Sequence, residues 1–61
     1  MSELQQRELF NQLDEDIREL LSLIHSIKIR KIIGDKEKAA EDLTRARWLA
    51  QKITEALYEL R

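Results

Sequence analysis

The sequence predicts an all-α protein, an antiparallel two-helix hairpin of coiled-coil type that dimerises into a four-helix bundle. Three observations lead there. Gly34 is the single glycine among 61 residues and proline is absent, so the chain is invited out of a helix at one place only. On both sides of Gly34 apolar residues recur at alternating steps of three and four, the spacing that gathers them on one helix face. A chain this short buries only about 60% of its unfolded surface even when globular, and a lone hairpin buries less, so a second copy is expected to cover its apolar stripes.

The first helix is expected over residues 3–33. Ser2-Glu3-Leu4-Gln5 has the form of a capping box, with Ser2 as N-cap and Gln5 three residues on. Phe10, Leu13, Ile17, Leu20, Ile24 and Ile27 then form a seam, widened by Leu9, Leu21 and Leu23. At 1.5 Å per residue such a helix is a rod of about 46 Å.

Gly34 and Asp35 form the expected turn. Glycine adopts the positive φ that commonly ends a helix, and aspartate suits the N-cap of the next one. Lys28, Arg30 and Lys31 precede the turn, where positive charge complements the carbonyl end of a helix. Lys36 and Lys38 follow it at an amide end, so dipole matching does not account for them.

The second helix is expected over residues 36–60, with Ala39, Leu43, Ala46, Ala50, Ile53, Leu57 and Leu60 on the same rhythm. Folding back at Asp35 sets Phe10 on Leu60, Leu13 on Leu57, Ile17 on Ile53, Leu20 on Ala50, Ile24 on Ala46 and Ile27 on Leu43. The paired positions share one constant sum. Alanines fill little volume, so a second copy is expected over Ala46 and Ala50. Residues 1–61 read as one hairpin domain.

Composition narrows function to binding. The chain has no cysteine and one histidine, which removes disulfides and thiolate sites and leaves no basis for a zinc site, so no metal or cofactor is expected. Basic and acidic residues number 11 and 12, giving no bulk field toward nucleic acid. No apolar run nears the roughly 18 residues of a membrane span and no leader opens the chain. The expectation is a soluble, cytoplasmic protein with no membrane partner. A pair of carboxylates for acid/base work needs a pocket, which a hairpin lacks, so the protein is not expected to be an enzyme.

Several residues stand outside the seam. Ile29, Ile32 and Ile33 either pack around the turn or a second subunit, or form an apolar knob ringed by lysines that suits an acidic amphipathic partner. Trp48 falls opposite the second seam, either laid over a neighbouring basic stem or serving as a contact. Lys28, Arg30, Lys31, Lys36 and Lys38 are candidate anion contacts. His25, near the edge of the first stripe, reads as a packing residue, and Tyr58 as a half-buried edge residue. Asp14 with Arg18, Glu3 with Arg7 and Glu41 with Arg45 have the spacing of helix-surface ion pairs.

In architecture the chain resembles the Rop-type plasmid RNA-binding hairpins, which dimerise into four-helix bundles, although no RNA-contacting motif carries over. The stretch from Leu13 to Leu21 is similar to the first helix of all-helical chorismate mutases. The third helix and the arginine expected after the double leucine are missing, and the enzyme is set aside. The leading expectation is a homodimeric interaction or regulatory module. Its rivals are an inhibitor or adaptor hairpin docked on a larger protein, and, less favoured, an RNA-binding hairpin.

Overall fold

The computed structural model describes residues 2–60. Met1 and Arg61, the ends of the expected 1–61 hairpin, lie outside the described residues. Two helices pack against each other, α1 over Glu3–Ile33 and α2 over Lys36–Glu59, in a rod of 47 × 14 × 13 Å.

Each helix end has a local cause. At Ser2 the capping box is complete: the Gln5 amide donates to Ser2 Oγ at 3.2 Å, and the Ser2 amide donates to Gln5 Oε1 at 3.1 Å. At the other end of α1, Gly34 takes φ 84°. The Gly34 and Asp35 amides donate back to the carbonyls of Lys31 and Arg30, the two bonds of a Schellman turn. A Cβ at Gly34 would meet nothing within 4 Å, so what glycine supplies there is its dihedral freedom, not space. Asp35 caps α2, its Oδ1 accepting from the Lys38 amide at 3.3 Å. The last turn of α2 closes at Leu60, which acts as C-cap.

The seam between the helices differs from the sequence expectation by one column. Leu13, Leu20 and Ile27 do face α2, and Ala39, Ala46, Ile53 and Leu60 face α1, all buried or half-buried. The alternate positions are different ones. Leu9, Asp16, Leu23 and Arg30 are drawn in from α1, and Asp42, Leu49 and Ala56 from α2, while Phe10, Ile17, Ile24, Ala50 and Leu57 are exposed. The expected pairings of Leu13 with Leu57 and Leu20 with Ala50 therefore give way. Leu49, absent from the expected seam, is fully buried.

The cause is polar. Asp16 is only 6% exposed, yet its carboxylate accepts from Gln12 Nε2 at 3.1 Å and meets Lys52 Nζ at 3.5 Å. Arg30 Nε reaches both Ser26 Oγ and Asp42 Oδ2 at 2.9 Å, and Ser26 Oγ donates to Asp42 at 2.9 Å. Buried polar groups are tolerated where they are hydrogen-bonded or ion-paired, and the contacts of Lys52 with Asp16 and of Arg30 and Ser26 with Asp42 are made with Asp16, Arg30 and Asp42 turned toward the facing helix.

Candidate interaction surface

Two helices in contact leave two grooves along their shared seam, and here the grooves differ in chemistry. One is ionic. Glu19 holds Arg45 through two bonds, Nε to Oε2 at 2.9 Å and Nη2 to Oε1 at 3.3 Å. Arg45 thus pairs across the hairpin, where the sequence suggested Glu41 on its own helix. The Glu19 hydrogen bond raises the Arg45 guanidinium above its ordinary pKa, against a smaller lowering by desolvation and with the Glu19 and Asp16 charges helping to raise it. Lys52 and its bond to Asp16 lie along the same groove, as does the Ser26, Arg30 and Asp42 cluster.

Trp48 is attached to this ionic side. Arg45 stands 4.6 Å and Lys52 5.1 Å from its ring centroid, so both cations that bridge to α1 also lie over the indole. The ring remains half exposed.

The other groove is apolar and unpartnered. Phe10, Ile17 and Ile24 recur at every seventh position of α1, as Leu57, Ala50 and Leu43 do in α2, so each set forms one column along its helix. Both columns flank the same groove, since Lys31, next in the first column, lines one concavity with Lys36, Ala39, Ala40 and Leu43 of α2. Phe10, Ile17, Ile24 and Leu57 remain between 41% and 56% exposed. The column of α1 starts with Glu3 and ends with Lys31.

Of the other residues singled out in the sequence, Ala46 is buried within the hairpin, whereas Ala50 is exposed in the apolar groove. The hairpin itself thus supplies the volume over Ala46 that a second copy was expected to supply. Ile29, Ile32 and Ile33 are all exposed near the turn, Ile32 at 74%. Lys28, Lys31, Lys36 and Lys38 are exposed there too, while Arg30 is half-buried and ion-paired to Asp42 and, at 3.9 Å, to Asp35. His25 is exposed, not at the seam edge, and Tyr58 is exposed as well.

Among the described residues no group of three or more His, Cys, Asp or Glu side chains could hold a metal ion, and no helix is long and apolar enough to cross a membrane. The family model for Sulfolobus spindle-shape virus 1, protein D-63, matches residues 1–61, and the chain belongs to that family. No solved structure matches it.

Proposed function

We propose that this member of the D-63 family is a non-enzymatic interaction and regulatory module that works inside the cell as a homodimeric four-helix bundle. The observation that carries the reading is the apolar groove of Phe10, Ile17, Ile24, Ala50 and Leu57, left open along one whole side of a chain that buries few large side chains internally. A continuous apolar stripe on a rod fits a second rod of the same kind. A twofold interface uses the same patch on both copies, so the patch must be self-complementary. The column from Glu3 to Lys31 has that property when two hairpins lie antiparallel, each acidic end over the other's Lys31 and Lys36. Side by side in parallel, the lysines of both copies would crowd one end.

RNA binding is less well supported. Arg45, Lys52 and Arg30 are already ion-paired within the hairpin, and the single tryptophan is overlaid by two of its own cations, which a stacking base would have to displace.

Native mass measurement and sedimentation equilibrium test the proposal, with Ile17→Lys and Ile24→Lys as variants. The wild type is expected as a dimer at micromolar concentration, and each variant as a monomer with reduced helicity. A folded, fully helical wild-type monomer at that concentration would sink the reading.

A further inference from the structure

We infer that the outer face of α1 at the turn end docks an acidic amphipathic helix of another protein. Ile32 is 74% and Ile33 70% exposed, and Ile29 also lies open. None of the three belongs to the columns that flank the apolar groove, so pairing of two hairpins through that groove does not require them. Ile29 and Ile33 line a concavity that continues toward Ser22 and Ser26 and is closed by Arg30 and Asp35. From Ser22 to Ile33 the concavity runs about three helical turns, roughly 16 Å. Ser22, His25 and Ser26 make up the rest of its lining.

Charge identifies the occupant. Between positions 28 and 38 the chain has five basic residues and two acidic ones. Asp35 is engaged with Arg30 and the Lys38 amide, and Asp42 with Arg30 and Ser26. Asp35 and Asp42 are thus both engaged by the one arginine, and among the described residues Lys28 and Lys38, like Glu37, have no side-chain ion pair. Lys28 adjoins Ile32 on the helix surface at a spacing of four. Lys36 and Lys38 stand in the first turn of α2, where the helix dipole disfavours positive charge, so they cost the hairpin stability and raise the local positive potential. Lys28 beside the open Ile32, with Lys38 unpaired across the turn, matches a ligand with glutamates or aspartates flanking an apolar stripe. A concavity along one helix, with an apolar wall, has the form that receives another helix.

The proposal is tested on the full chain with a fluorescein-labelled synthetic helix carrying leucines on one face and glutamates on both flanks, followed by anisotropy. A second peptide has lysines in place of the glutamates, and vesicles of an anionic phospholipid and a single-stranded RNA are separate arms. The acidic peptide is expected to bind in the micromolar range, about tenfold more weakly to Ile29→Ser/Ile33→Ser, and several-fold more weakly to Lys28→Ala/Lys38→Ala or in raised salt. Equal binding of the two peptides, unchanged affinity in both variants, absence of acidic-peptide binding near about 100 µM, or retention on vesicles or RNA alone overturns it. Native mass is recorded on every sample. A monomer that still binds the peptide removes only the dimer, and a dimer that does not bind it removes only the docking face.

Discussion

Lys52 Nζ lies 3.5 Å from Asp16 Oδ2, and the carboxylate it meets sits in the core column of α1. Removing two charges from water offsets most of what their attraction returns, so such a pair specifies register more than it stabilises. Lys52 is half-buried and can reach solvent by a small movement. Asp16→Leu is therefore expected to leave stability unchanged or to raise it by about 1–2 kcal/mol. Urea denaturation at fixed chain concentration measures this, and a loss above about 2 kcal/mol would show that the ion pair itself stabilises the hairpin.

Leu49 and Leu57 are chemically identical and differ in where they are covered. Leu49 is fully buried within one chain, whereas Leu57 is more than half exposed in the apolar groove. Leu49→Ala is expected to cost about 3 kcal/mol at every protein concentration, the usual loss for a buried leucine. In the proposed dimer, Leu57→Ala acts through association, so its cost should appear as a lowered midpoint that depends on concentration. Thermal melts over a hundredfold dilution series separate the two, and a concentration-independent melt for wild type and Leu57→Ala alike would contradict the assignment of Leu57 to the interface.

How far the sequence reveals this molecule is visible in the same columns. Gly34, Asp35 and the Ser2 capping box were legible because each acts through its own backbone geometry, which needs no knowledge of the partner helix. The seam was legible by half. Leu13, Leu20, Ile27, Ala39, Ala46 and Ile53 belong to either of two overlapping stripes, and apolar content favours the stripe with Phe10, Ile17 and Ile24 over the one with Asp16 and Arg30. The structure takes the more polar stripe inward because Lys52 meets Asp16, and Asp42 meets Arg30 and Ser26, across the hairpin. Pairing of that kind links residues far apart in sequence, and periodicity within one helix cannot express it. Buried Asp16 in a run of three acids was the available sign, since its neighbours Asp14 and Glu15 are exposed.

The Glu19 and Arg45 bridge makes a prediction with a definite sign. Its guanidinium pKa is raised by the Glu19 hydrogen bond. A raised basic group contributes stability that is fully present below its unfolded pKa and is lost only as pH climbs through the folded value. For an arginine both lie beyond the range in which tyrosine and lysine titrate. The stability difference between wild type and Glu19→Gln should therefore stay constant from about pH 7 to about pH 11 and shrink as salt screens the exposed pair. A difference that collapses within that pH range would mean that a group other than Arg45 carries the effect.

Lys38 connects stability with the docking face. Asp35 is the N-cap of α2 and accepts from the Lys38 amide, so Lys38 holds the position from which a glutamate or glutamine would bond back to the cap. At the start of α1 the chain uses that device in full, with Gln5 answering Ser2, and at the start of α2 it places a lysine there. Lys38→Glu would complete the box and reverse a charge that the helix dipole disfavours, together stabilising the hairpin by about 0.5–1.5 kcal/mol. The same substitution reverses a charge at the turn end and should weaken binding of the acidic helix several-fold. A rise in thermal midpoint with lowered affinity is the expected pair of outcomes. A more stable variant that binds the acidic peptide as well as the wild type would mean that Lys38 has no part in docking, and that its place at the amide end of α2 has another cause.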